Sequence, residues 1–189
     1  MKLFDGAGKA AGSFKPGSKA QRLSVNGDGS RIAVLRDSYQ VRVFDRSGKK
    51  IVEFKPGSKA QDVASSADGQ RIAVLRDAYQ VKVFDASGKP LASFKPGSKS
   101  QRVAINGDGS RIAVLRDSYM VRLFDASGKK VGEFKTGSKA QDVAISADGQ
   151  RIAVLRDSYE VKIFDPKGQQ IGKVRPGSKA QSVALAGRL

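Results

Sequence analysis

The residues best suited to chemistry in this chain are lysines spaced around Gly-Ser pairs. Lys-Pro-Gly-Ser-Lys stands at 15–19, 55–59 and 95–99, Lys-Thr-Gly-Ser-Lys at 135–139, and Arg-Pro-Gly-Ser-Lys at 175–179. Cations flanking open Gly-Ser backbone suit phosphate or carboxylate, because backbone N–H groups and point charges together satisfy an oxyanion. The chemistry implied is anion binding, and the candidate residues are Lys15, Lys19, Lys55, Lys59, Lys95, Lys99, Lys135, Lys139, Arg175 and Lys179. The plainer reading is that these are good loop residues, repeated because everything around them is repeated.

Bond-making chemistry has little to work with. The sequence has no Cys, no His and no Trp. A thiolate nucleophile and a cysteine zinc site are therefore excluded, and the commonest general base and metal ligand is missing. Gly6-Ala7-Gly8-Lys9 lacks the spacing and following helix of a phosphate-binding P-loop. Asn26-Gly27-Asp28-Gly29 lacks the further oxygen ligands and terminal Glu of a calcium loop. The expectation is a protein that is not an enzyme and needs no cofactor or metal.

What positions the lysine loops is a repeat. Arg-Ile-Ala-Val-Leu-Arg-Asp starts at Arg31, Arg71, Arg111 and Arg151, a period of 40 residues. In one copy, Val41–Asp45, Ile51–Phe54, Gln61–Ser65 and Arg71–Arg76 read as strands, alternating or β-branched and separated by turn residues. Asp68-Gly69 reads as a type I′ hairpin turn. No stretch has the period of a helix. Four short antiparallel strands per 40 residues predict an all-β fold, a β-propeller of four-stranded blades. The rival β-solenoid is disfavoured because tight hairpins demand antiparallel neighbours.

The repeats resemble known propeller families along essentially the whole chain. Val-Ala-Ile-Ser-Ala-Asp-Gly-Gln at 143–150, followed by Arg-Ile-Ala-Val, is similar to the strand-turn-strand of NHL and YVTN/lactonase-like blades. Val-Lys-Val-Phe-Asp-Ala-Ser-Gly-Lys at 81–89 resembles the next strand of NHL repeats and, with Phe in place of Trp, of WD40 repeats. The Gly-His and Trp-Asp dipeptides of WD40 repeats are absent. The resemblance implies the fold, and by analogy RNA binding of the NHL kind. It also implies a lactonase-like enzyme, which the missing His opposes.

In propeller order the strand near 61–65 is innermost, followed outward by 71–76, 81–85 and 91–94. Blades then span 21–60, 61–100, 101–140 and 141–180 within a single domain, 1–189. A fifth, closing blade is assembled from 181–189 and 1–20. It has an inner strand at 181–186 and outer strands at Lys2–Phe4 and Ala11–Phe14, and no second strand. Three closures are compatible with this count: a five-bladed ring with a defective blade, a homo-oligomer joined through the incomplete blade, or a partner strand added by β-augmentation.

All nine Phe fall at two repeat positions, 4, 44, 84, 124, 164 and 14, 54, 94, 134. Core between blades is the expected role; stacking on nucleobases is the alternative. Tyr39, Tyr79, Tyr119 and Tyr159 fall at a turn and are expected half-exposed. Asp5, Asp45, Asp85, Asp125 and Asp165 are expected to bond their own turn backbone. After Gln21, Gln61, Gln101 and Gln141 come Arg22, Asp62, Arg102 and Asp142, predicting ion pairs Arg22–Asp62 and Arg102–Asp142 near the channel. The alternation makes the larger repeat 80 residues long, consistent with recent amplification or design.

The formal net charge is +17. Such an excess favours acidic partners, nucleic acid or an acidic protein, or serves solubility alone. The segment 161–189 carries six basic residues against one acidic, making the closing blade a basic patch. The ten loop charges are expected to ring the channel mouth on one face. Arg36, Arg76, Arg116 and Arg156 join them there, each offset by the Asp that follows it. The sequence shows no signal peptide and no apolar run long enough to span a membrane. Its lack of Cys fits a reducing, cytoplasmic setting.

Overall fold

The structure, a computed structural model, describes residues 1–185 apart from 5, 6, 18, 58, 78, 118 and 178. Four antiparallel four-stranded sheets follow one another along the chain. The first comprises β3 (Ala20–Val25), β4 (Ile32–Arg36), β5 (Val41–Phe44) and β6 (Lys50–Phe54). The second comprises β7 (Ala60–Ser65), β8 (Arg71–Arg76), β9 (Gln80–Asp85) and β10 (Pro90–Phe94). β11 (Ser100–Ile105), β12 (Arg111–Arg116), β13 (Met120–Asp125) and β14 (Lys130–Lys135) form the third. The fourth has β15 (Ala140–Ile145), β16 (Ile152–Arg156), β17 (Val161–Phe164) and β18 (Gln170–Val174). Ahead of them β1 (Lys2–Phe4) pairs with β2 (Ala10–Ser13) alone. Each sheet keeps sequence order, so the fold is an all-β repeat of the propeller kind, and no sheet closes on itself.

The second strand of each blade is the most deeply buried. Ile32-Ala33-Val34-Leu35 and its three copies are 0–3% exposed, because this strand has neighbours on both edges and both faces. Its residues alternate between two interfaces. Ala33 and Leu35 pack with Val41, Val43 and Phe54 against Val63, Ile72, Val74 and Phe84 of the next blade. Ile32 and Val34 pack the other way, with Phe44, against Met1, Leu3 and Phe14. Eight phenylalanines pair across blade interfaces, Phe14 on Phe44, Phe54 on Phe84, Phe94 on Phe124 and Phe134 on Phe164, with centroids 4.6–4.8 Å apart. Offset or tilted aromatic pairs of this kind add about 0.5–1.5 kcal/mol beyond the area they bury. The ninth, Phe4, departs from the expected core role and is 60% exposed, as its counterpart for pairing, Val174, is 55% exposed.

The Asp-Gly hairpin forms, but not as type I′. Asn26 N–H donates to Arg31 O at 3.1 Å, and Gly29 N–H donates to Asn26 O at 3.0 Å inside a four-residue loop. Only the glycine takes positive φ, 69°. Asp28 stays outside that region because its Oδ1 accepts the N–H of Ser30 at 2.8 Å, closing a side-chain turn. Asp45, Asp85, Asp125 and Asp165 do as expected: each Oδ1 accepts backbone N–H groups two and four residues on. Asp5 lies outside the described residues.

Residues 181–185 form no ladder with another strand, so the inner strand expected over 181–186 is not paired; residue 186 lies outside the described residues. The segment nevertheless occupies the inner position. Val183 N–H donates to Asp142 Oδ2 at 2.9 Å, as Val103 N–H donates to Asp62 Oδ2 at 2.9 Å one pair of blades earlier. Among the described residues no second strand pairs with it.

Candidate anion-binding face and channel

Register places one row of residues along the same end of every blade. In the third, Ser100 stands opposite Arg116, Arg116 opposite Met120, and Met120 opposite Lys135. From channel to rim the row reads Ala or Ser, Arg, the residue four along, then an outer residue such as Lys135, and the inner Lys stands one residue before its start. The loops joining one blade to the next all cross this end, as the 40-residue phase requires.

The ten candidate cations sort into two kinds. Lys19, Lys59, Lys99 and Lys139 sit beside the inner strands and pair with Asp37, Asp77, Asp117 and Asp157 at 3.4, 3.6, 3.9 and 3.7 Å. Arg175 pairs with Glu160 at 3.7 Å. Lys15, Lys55, Lys95, Lys135 and Lys179 are exposed and make no ion pair among the described residues. Lys19, Lys59, Lys99 and Lys179 also take left-handed φ of 54–67°, and Tyr39, Tyr79, Tyr119 and Tyr159 take 50–58°. Sequence gave no sign of either, since neither residue type favours that region. The four Tyr are 36–48% exposed, close to the expectation.

The Asp after each Arg does not offset that Arg. Asp37, Asp77 and Asp117 bind the loop Lys and the Nε2 of Gln21, Gln61 and Gln101. The arginines turn to the residue four along and to the loop above. Arg36 donates to Gln40 at 2.9 Å, Arg156 to Glu160 at 2.6 Å, and Arg116 to Ser98 O at 3.1 Å. Each Asp lies one residue past the end of its strand, and its N–H donates to the carbonyl of the loop Lys (Asp37 to Lys19 O at 3.0 Å), which sets the carboxylate beside that Lys and away from the Arg.

The loops lie directly on these guanidinium groups. A Cβ at Gly57 would stand 2.6 Å from Arg76, and one at Gly97 2.6 Å from Arg122. The loop with Thr for Pro behaves differently. Thr136 is 1% exposed, and its N–H and Oγ1 both donate to Tyr119 O, at 2.7 and 3.0 Å. Proline could not supply that N–H. Ser18, Ser58 and Ser178 of the other loops lie outside the described residues.

Below the mouth, an open cavity of about 920 Å³ lined by Gln61, Gln101, Gln141, Gln181, Lys99 and Lys139 leads inward. It continues into a cavity of about 570 Å³ lined by β3, β7, β11, β15 and residues 181–185, the channel of the propeller. The two expected ion pairs are there, Arg22–Asp62 at 3.7 Å and Arg102–Asp142 at 3.8 Å. Burial pushes the Asp62 carboxyl up to about 6, against the N–H of Val103 and the charges of Arg102 and Arg22. Burial also raises Asp142.

Among the described residues no cluster of three or more His, Cys, Asp or Glu could hold a metal ion. Among the described residues, too, no helix is long and apolar enough to cross a membrane. No protein-family model matches the chain, and no curated protein matches it.

Proposed function

We propose that this protein is a non-enzymatic interaction module, a propeller with NHL- or WD40-like blades whose loop face binds a polyanion, nucleic acid before acidic protein. The observation that carries the reading is the split among the loop cations. The inner lysines are neutralised by Asp, while Lys15, Lys55, Lys95, Lys135 and Lys179 stand exposed on the same end without ion pairs among the described residues. An arc of exposed ammonium groups suits a phosphate backbone, and a net charge of +17 draws it in from a distance. A reducing, cytoplasmic setting fits the same reading. Titration of generic single-stranded RNA and duplex DNA against salt tests it. Binding at about 50 mM salt that weakens steeply by about 200 mM supports it; negligible affinity at the lower salt ends it.

A second reading, a symmetric scaffold that self-assembles, is favoured by one observation. The apolar surfaces of β3 and β18 that should meet a closing blade are exposed, Leu23 at 56% and Val174 at 55%. A native mass above the monomer, in the absence of any ligand, is the outcome this second reading requires.

A further inference from the structure

The seam between the fourth blade and the first has a definite shape, and the repeat says what fits it. Val63, Val103 and Val143 are each 5% exposed on the inner strands of the second to fourth blades, while Leu23 at the same position of the first is 56% exposed. Ile105 and Ile145 are 7% exposed against 47% for Val25. On the opposite wall, Val161 and Ile163 of β17 are only half-buried, whereas Val41, Val81 and Val121 are fully buried. Both walls of one slot are open.

A glycine marks the same gap independently. A Cβ at Gly57 would strike Arg76, the last residue of a second strand, at 2.6 Å, yet one at Gly177 meets nothing within 4 Å. The empty place beside Gly177 is that of a second strand's terminal Arg. The N-terminal hairpin also stands away from β18: a Cβ at Gly88 or Gly128 would strike Phe54 or Phe94, on the fourth strand of the preceding blade, at 2.7 and 2.5 Å, yet one at Gly8 meets nothing. Two cavities occupy the site, about 320 Å³ beside Met1 and Leu23 and about 520 Å³ beside Leu3, Phe4, Val25 and Ile32. Strand β1 is bonded to β2 on one edge only, and residues 181–185 have no strand partner among the described residues.

We propose that this slot is a peptide-binding site that takes one extended polypeptide strand of the pattern Arg-Ile-Ala-Val-Leu-Arg, by β-augmentation between residues 181–185 and β1. The occupant is specified because the four equivalent slots are filled by that string, at 0–3% exposure of its apolar residues. A second copy of the chain is a poor occupant, since each of its own second strands is already buried in a four-stranded sheet. Transferring the register of β3, β4 and β5 by the repeat period sets the pairing. The incoming Ile stands opposite Phe4 and Leu185, Ala opposite Leu3 and Ala184, Val opposite Lys2 and Val183, and Leu opposite Met1 and Ser182. Ala and Leu then cover Leu23 and Val25, while Ile and Val cover β17. The following Arg comes to rest under Gly177. Main-chain hydrogen bonds to two free edges give affinity, and the alternate side chains give selectivity.

The test uses the whole chain and a fluorescent peptide of residues 148–157, Asp-Gly-Gln-Arg-Ile-Ala-Val-Leu-Arg-Asp. The peptide carries no net charge, and at about 0.3 M salt the basic face contributes little. Saturable binding of one peptide per chain is expected, with at least tenfold weakening by Leu23→Asp, an exposed site whose change leaves the fold intact. A peptide with Asp in place of its Val should fail to bind. No saturation, binding indifferent to Leu23→Asp, or a chain that dimerises and excludes the peptide would each overturn the proposal. The polyanion reading stands or falls separately, on the salt titration.

Discussion

Asp62 Oδ2 accepts the backbone N–H of Val103 at 2.9 Å, tying the inner strand of one blade to the inner strand of the next. Asp142 makes the same bond to Val183. Where the alternation places Arg22 instead, Ser24 Oγ takes over and accepts Ser65 N–H at 2.8 Å. The Arg/Asp alternation is thus more than a set of ion pairs. Its acidic members fasten the second blade to the third and the fourth to the chain beyond it.

The first expected outcome follows from the Asp62 carboxyl. Its folded value, about 6, lies above the ordinary 3.8 because of burial, so the folded state holds the proton more tightly than the unfolded chain. That contribution to stability is full below about pH 4 and is lost as pH rises through about 6. Asp62→Asn keeps an oxygen acceptor for Val103 and removes the buried charge. Denaturant melts should show the variant gaining on the parent between about pH 4 and about pH 7. A stability difference flat across that range would mean that Asp62 is not held protonated by burial.

Asp142→Ala removes the acceptor that positions Val183. Hydrogen exchange at the Val183 amide should accelerate, while amides of β16, buried within its sheet, should not change. Global stability should fall by about 1–3 kcal/mol at most, the usual cost of one orphaned buried donor. Unchanged exchange at Val183 would show that the segment is held by something else.

Phe84 and Phe4 occupy the same repeat position, one 4% and the other 60% exposed. Phe84→Ala should cost about 3–5 kcal/mol, through lost burial and the cavity left against Phe54. Phe4→Ala should cost less than about 1 kcal/mol. Equal costs in thermal or denaturant unfolding would place Phe4 inside a closed interface.

Glycine offers a parallel contrast. Gly88 and Gly8 have φ of 85° and 81°, so alanine is strained at both. Only at Gly88 does the new Cβ also meet Phe54, at 2.7 Å. Gly88→Ala should therefore destabilise clearly more than Gly8→Ala, and addition of the slot-filling peptide should leave that order unchanged. Equivalence of the two variants would contradict the open seam.

On the loop face, the triple change Lys55→Ala, Lys95→Ala and Lys135→Ala should reduce the salt slope of RNA binding by about two or three. Lys59→Ala, Lys99→Ala and Lys139→Ala, already paired with Asp, should alter the slope by about one or less. The reverse ranking would move the interface from the rim to the channel mouth.

Much of this was legible in the residues. The 40-residue period, the strand positions within it and their order from channel to rim follow from alternation and turn residues. The Phe pairs, the half-exposed Tyr and the Arg–Asp pairs at the channel also follow, because identical units must meet through identical faces. The hairpin type was misread. Asp-Gly suggests two left-handed residues, but the Asp28 carboxylate bonds Ser30 and leaves only Gly29 in that region. The partners of Asp37 and its copies differ from the expectation because each Asp lies past the end of its strand and is held by its N–H to the carbonyl of the loop Lys, a contact between segments 18 residues apart.

The sequence by itself determined the unit, its phase and the charges each loop carries, since these depend on local pattern and repeat without knowledge of the rest of the chain. Only the tertiary structure decided which cations are neutralised and which copies of an identical residue are buried. Leu23 and Val63, or Phe4 and Phe84, have the same local setting and opposite exposure. Burial is a property of what lies across the interface, and beside Leu23 and Phe4 the described residues leave open cavities.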